Sequence, residues 1–132
     1  MENLIGQTLN RYKIVSLLGE GGMGAVFKAH DLTLQRDVAI KVMHAHYARQ
    51  PNFQERFLQE ARSAARLKHP NIVQVHDFGQ DRSYLYIVME FIPGDDLDKM
   101  LNTMRTQGKW IMLNEAVLLM RQVSLALDYA HR

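Results

Sequence analysis

Three observations predict an α+β fold: a five-stranded antiparallel sheet with one helix inserted after the third strand, followed by two further helices. Three short, mainly apolar segments stand between residues 12 and 43, separated by a glycine cluster and a polar stretch. The apolar period then becomes helical over 53–67 and returns to short apolar runs over 72–89. Beyond Pro93–Gly94 the spacing is helical again. Strands in this order require an antiparallel sheet packed on the inserted helix.

The first strand is predicted over Tyr12 to Leu18, the second over Ala25 to Ala29 and the third over Arg36 to Met43. Gly19, Gly21, Gly22 and Gly24 make the first turn, and the polar run Asp31 to Asp37 makes the second. Phe53, Phe57, Ala61, Ala64, Ala65 and Leu67 fall on one helical face. Asn52 is the expected cap of this helix, with Glu55 as its reciprocal capping-box partner. The helix should stop near Lys68, because Pro70 constrains His69. Two strands follow, Ile72 to Phe78 and Leu85 to Met89, joined by a turn over Gly79 to Ser83. One helix is expected from Asp96 to Met104, ended by Gly108, and a longer one from Glu115 to His131. Residues 1–11 read as a leader, 12–92 as the strand-rich part and 93–132 as the start of a helical part. There is no internal repeat and no low-complexity segment.

Sixteen Lys and Arg against fourteen Asp and Glu give a formal charge of +2, and the basic residues are dispersed. Neither fact suggests a nucleic-acid partner. No apolar run reaches the length of a membrane span, and MENLIGQTLN is not a signal peptide, so no membrane contact and a cytoplasmic location are expected. Without Cys there is neither a disulfide nor a thiolate nucleophile. The six His are scattered; His44 and His46 stand two apart without further ligands, so no metal site is assigned.

Gly19, Gly21 and Gly24 fit G-x-G-x-x-G. A dinucleotide site would need these glycines to open a helix, but AVFKA, a strand pattern, follows them. A Walker A loop would need G-K-[S/T], which is missing. Two readings remain: a hairpin whose backbone N–H groups fold over phosphates, or a flexible hairpin with extra glycines. Lys41 interrupts the apolar strand VAIKVM. Its ammonium must reach water or an anion, since burying it unpaired is costly. Alternation sets Ala39 and Lys41 on one face and Val38, Ile40 and Val42 on the other, and small Ala39 leaves room for a flat ring. Glu60, one residue before Ala61 on the helical stripe, is the candidate partner for Lys41; its other reading is a solvated Glu. Met89 reads equally as core methionine.

The segments LGEGGMGAVFKA (18–29), VAIKVM (38–43), FLQEARSAARLKHPNIVQVHDFG (57–79), YLYIVMEFIPGDDL (84–97) and QVSLALDYAHR (122–132) occur in an order that resembles the N-terminal part of a bacterial-type serine/threonine protein kinase. The resemblance implies a kinase N-lobe with its hinge over 12–92 and the first helices of a C-lobe over 93–132. It implies that Gly19, Gly21 and Gly24 cover ATP phosphates, and that Val26 and Ala39 pack on adenine. Lys41 would contact the α- and β-phosphates with Glu60 as its partner; these two are the implied catalytic residues. Met89 would be the gatekeeper, the Glu90 carbonyl and Ile92 N–H would bond adenine, and Asp96 would stand near the ribose. Ala64 and Val75 would belong to an apolar spine. ATP, Mg²⁺ and a protein substrate are the implied cofactors and partners. The alternative is a pseudokinase or a non-catalytic interaction module with the same fold.

In that family the catalytic Asp belongs to an H-R-D-x-x-x-x-N motif and a Mg²⁺-binding Asp to a D-F-G motif beyond it. The sequence stops at His131–Arg132, and Asp31, Asp77, Asp81, Asp95, Asp98 and Asp128 stand in neither place. The polypeptide alone is therefore expected to be inactive. The apolar surface of its last helix is expected to drive self-association.

Overall fold

A computed structural model, which describes residues 2–22, 24–44 and 49–132, divides into two compact units. The first comprises Met1–Lys68 and Val73–Phe91, the second His69–Ile72 and Ile92–Arg132. Among the described residues, the first unit contains six strands: β1 (Thr8–Leu9), β2 (Tyr12–Glu20), β3 (Gly24–Asp31), β4 (Arg36–Met43), β5 (Val75–Asp81) and β6 (Tyr84–Glu90). Helix α1 spans Pro51–Ala65. The strand order is β1-β2-β3-β4-β6-β5, with every pair antiparallel. The antiparallel sheet with one inserted helix agrees with the sequence reading, but the strand count is six rather than five. The added strand, Thr8–Leu9, pairs with Tyr12–Lys13. It lies in the segment read as a leader, where Leu4 and Leu9 are fully buried in the core. Leu4 and Leu9 stand five positions apart, a spacing that fits neither the helical nor the strand period.

Alternation divides the apolar residues between two layers. Ala25, Phe27 and Ala29 of β3, Val38, Ile40 and Val42 of β4, and Tyr86 and Val88 of β6 join Leu4, Leu9, Tyr12 and Ile14 in one cluster. Met43, Leu85 and Ile87 point the other way and pack with Phe57 and Ala61 of α1. One face of the sheet thus closes on itself, and the other seats the helix.

The sheet curls until its edge strands meet through side chains. The Asn10 backbone N–H donates to Asp81 Oδ2 at 2.7 Å, and its side-chain amide reaches Gln80 O and the Tyr86 hydroxyl. Arg82 donates to Gln7 Oε1 and to Thr8 O, and the Tyr12 hydroxyl donates to Asp77 Oδ2 at 2.9 Å. Burial, then the hydrogen bond to Asp77, pushes the Tyr12 phenol up to about 12. Folding raises this pKa above the ordinary value of about 10. The linked stability is therefore complete below about pH 10 and is lost as pH rises through the folded value. Urea denaturation across this window should show an alkaline loss of stability that Tyr12→Phe reduces; an unchanged profile would mean Tyr12 is not its source.

Three local boundaries differ from the sequence reading. The N-cap of α1 is Gln50, not Asn52, and no side-chain capping bond is made, so the Asn52–Glu55 box does not form. Pro51 explains the shift: its fixed φ suits the first helical position and its missing N–H is not needed there. β5 begins at Val75 and runs through Gly79 to Asp81, so Gly79 is a strand residue rather than part of a turn. A Cβ at Gly79 would stand 2.4 Å from the Tyr86 hydroxyl oxygen, so the glycine marks a close approach inside the sheet.

The second unit contains α2 (Leu97–Thr106) and α3 (Leu113–Ala130). Asp96 caps α2, its Oδ1 accepting from Lys99 N at 2.7 Å. Gly108, at φ +69°, ends it: Gly108 N donates to Arg105 O and Lys109 N to Met104 O, the paired bonds of a left-handed helix stop. Asn71 Nδ2 donates to Gln122 O and the His69 ring lies 5.3 Å from that of Tyr129, which seats residues 69–72 on α3. Val117, Leu118, Met120, Val123 and Leu127 of α3 are each more than half exposed.

Candidate functional site

The glycine-rich turn joins β2 to β3. Gly19 pairs with Val26 and Glu20 with Ala25, and Gly21 N donates to Gly24 O at 2.9 Å. Met23 lies outside the described residues, as does His46. The glycines divide into two kinds. A Cβ on Gly24 would stand 2.2 Å from the Val42 carbonyl oxygen, because β4 passes directly beside it. A Cβ on Gly19, Gly21 or Gly22 would meet no atom within 4 Å. The fold requires Gly24; the other three leave backbone open to whatever approaches the turn.

Lys41 lies in register between Val26 on β3 and Ile87 on β6, and Ala39 lies between Lys28 and Met89. Cross-strand partners share a face, so Val26, Ala39, Lys41, Ile87 and Met89 all point away from the closed core layer. This is also the face that receives α1. Phe57 and Ala61 bury against Leu85 and Ile87, which leaves Glu60 at the rim beside Lys41. Lys41 Nζ stands 3.2 Å from Glu60 Oε1, with the two side chains 33% and 55% exposed. At such exposure the pair contributes on the order of 0–1 kcal/mol to stability. It therefore does little to hold the fold.

Two hollows meet at Lys41. One, of about 260 Å³, is lined by Gly19, Gly21, Gly24, Val26 and Lys41 together with Glu20 and Ala25. The other, of about 180 Å³, is lined by Lys41 and Glu60, with Ala61, Ala64, Val75 and Met89 among its other walls. The structure thus brings together Gly19, Gly21, Gly24, Val26, Lys41, Glu60 and Met89, and sets Ala39 on the same face. Glu90 ends β6, where its N–H donates to Gln74 O at 2.8 Å and its Oε1 accepts from Gln74 N. Ile92 and Asp96 belong to the second unit, where Ile92 is 56% exposed and Asp96 has the capping role described above.

Two residues absent from the sequence-based site stand on its border. Lys28 Nζ lies 5.0 Å above the ring centroid of Phe91, and 3.9 Å from Asp37 Oδ2. The alternation that placed Ala39 and Lys41 together also places Lys28 with Val26, so this neighbour was discoverable.

The groups with shifted ionisation lie away from Lys41. Burial raises the Tyr86 hydroxyl. Asp31 is raised by burial, but the N–H groups of Leu34 and Thr33 and the Arg11 and Arg36 charges outweigh this, so its carboxyl falls below the usual range. Residues 77–79 spell D-F-G. Here Asp77 sits within β5, accepting from the Tyr12 hydroxyl and the Phe78 N–H. Among the described residues no three His, Cys, Asp or Glu side chains cluster to hold a metal. The described residues thus offer no cluster that fits Mg²⁺. Among the described residues, no helix is long and apolar enough to cross a membrane.

The sequence matches the protein kinase domain over residues 12–132. It is 39% identical to the serine/threonine-protein kinase PrkC of Bacillus subtilis over 130 residues, covering 98% of this chain and 19% of that protein. It is 41% identical to the serine/threonine-protein kinase PknE of Mycobacterium tuberculosis, covering 98% of this chain and 22% of that one. Its structure superposes on the crystal structure of the Mycobacterium tuberculosis PknI kinase domain with a TM-score of 0.75 at 32% identity, covering 96% of this chain and 50% of that chain.

Proposed function

Because the chain belongs to the protein kinase domain family, we propose that it is the ATP-binding part of a serine/threonine protein kinase, which transfers the γ-phosphoryl group of ATP to protein hydroxyls. One observation carries this reading: the Lys41–Glu60 pair stands where the glycine-lined hollow meets the apolar hollow in front of Met89. Triphosphate needs a cation and open backbone N–H groups, and adenine needs a flat apolar slot. In this reading Gly19, Gly21 and Gly24 cover the phosphates, with Gly24 also keeping the turn against β4. Lys41 bonds α- and β-phosphate oxygens and Glu60 aims it. Val26 and Ala39 roof the adenine, Met89 closes the rear, and the Glu90 carbonyl and Ile92 N–H meet the adenine edge. Asp96 serves the ribose side. An ATP-dependent activity fits a cytoplasmic setting.

Titration of the ¹⁵N-labelled chain with ADP tests the site. Amide shifts are expected at 19–26, 39–41, 60 and 89–92; shifts confined to other segments would overturn the reading. The 132 residues hold no H-R-D-x-x-x-x-N run, the motif whose Asp accepts the substrate hydroxyl proton in protein kinases. Incubated with ATP and Mg²⁺, the chain should show no transfer above a Lys41→Ala control, and clear turnover would contradict this. The apolar face of α3 also supports self-association of the polypeptide. Sedimentation showing only monomer at high micromolar concentration would remove that part.

A further inference from the structure

Phe91 is the last residue of the first unit and directly follows β6. The two peptide groups assigned to adenine, the Glu90 carbonyl and the Ile92 N–H, flank it in sequence. No strand ladder extends to Phe91, whose ring instead meets a side chain from β3. Lys28 is the cross-strand partner of Ala39, the proposed adenine roof, and Ala39 in turn faces Met89. From that position the Lys28 ammonium lies 5.0 Å over the Phe91 ring. Asp37 steers it from the other side, with Oδ2 at 3.9 Å, while Asp37 Oδ1 stands 3.1 Å from His30 Nδ1. The Lys28 side chain is 32% exposed, so its charge is partly withdrawn from water and its attraction to the ring face is correspondingly less screened.

We propose that Lys28 is a positioning residue for the adenine end of the site. Held over the Phe91 ring and steered by Asp37, it fixes the peptide groups on either side of Phe91 and so presents their N–H and C=O to the base. The proposal rests on the nucleotide reading above, but the contact it invokes can be observed without nucleotide. A surface ion pair between Lys28 and Asp37 alone would have no such consequence, which makes Phe91 the deciding partner.

The test compares Lys28→Met, Lys28→Arg, Phe91→Leu and the double variant Lys28→Met/Phe91→Leu in the full 132-residue chain. Without ligand, the Lys28 ε-methylene protons should show an upfield ring-current shift that Phe91→Leu removes, and the Phe91 amide order parameter should fall in Lys28→Met. With ADP, Lys28→Met should weaken affinity about two- to fivefold, as expected for a partly exposed cation–π contact. Lys28→Arg should restore the affinity, and Lys28→Met should cost nothing further once Phe91 is Leu. Absence of the ring-current shift, unchanged affinity in Lys28→Met, or an equal loss in the Phe91→Leu background would each overturn the proposal. Failure of the wild-type chain to bind ADP would instead remove the nucleotide reading, and the ligand-free measurements would still decide whether Lys28 holds Phe91.

Discussion

Replacing Gly24 with Ala is expected to lower the stability of the chain by about 1–3 kcal/mol, the range for forcing an extra methyl into packed structure. The cause is steric and lies in the backbone. The new Cβ would stand 2.2 Å from the Val42 carbonyl oxygen and 3.2 Å from the Met43 Cα. Neither atom belongs to a flexible side chain, so relief requires the paired ends of β3 and β4 to part. Gly24 pairs with Met43, and Met43 packs with Phe57 of α1. A shift there loosens the seat of the helix that carries Glu60. Gly19→Ala and Gly21→Ala meet nothing within 4 Å and should change stability by no more than about 0.5 kcal/mol. They should instead weaken ADP binding, because a methyl group would occupy the open space over the turn. Urea midpoints of the three variants, measured with their ADP affinities, test this separation of roles. Equal destabilisation by all three would mean that the turn is one packed unit without an open part.

The sequence made most of this architecture legible because the strong signals were local. VAIKVM shows its two faces directly, and those faces reappear as Val38, Ile40 and Val42 in the closed layer with Ala39 and Lys41 on the other side. Glu60 was legible through its neighbour: Ala61 lies on the buried stripe, so the preceding residue must stand at its edge. What stayed hidden depended on distant partners. Leu4 and Leu9 are buried only because the curled sheet offers them a core. Gly79 resembles turn chemistry until the Tyr86 ring is seen against it. The cap at Gln50 follows from Pro51, while the Ser/Thr/Asp/Asn rule points to Asn52. The D-F-G string at 77–79 shows the same limit from the other side, since three letters do not specify an environment. At this position the carboxylate is engaged by the Tyr12 hydroxyl across the curl of the sheet.

Substituting Met for Lys41 should separate binding from folding more sharply than any other change in this chain. The ammonium is paired with Glu60 at 3.2 Å, but both side chains are partly exposed. Such a pair contributes at most about 1 kcal/mol to stability, and Met preserves the length and apolar contacts of the stem. The urea midpoint should therefore move little. A charge-assisted bond to phosphate is larger, about 1.5–3 kcal/mol, so ADP affinity should fall about 10- to 100-fold. Glu60→Gln should cost less, because it leaves the cation in place and removes only the group that aims it. In a chain carrying the whole kinase domain, Lys41→Met should remove most phosphoryl transfer, since the same cation must also hold the triphosphate in line for attack. The ratio of the two effects is the informative quantity. A Lys41→Met chain that loses several kcal/mol of stability but binds ADP normally would show that the ammonium serves the fold. It would also show that the hollow beneath the glycine turn is not a phosphate site.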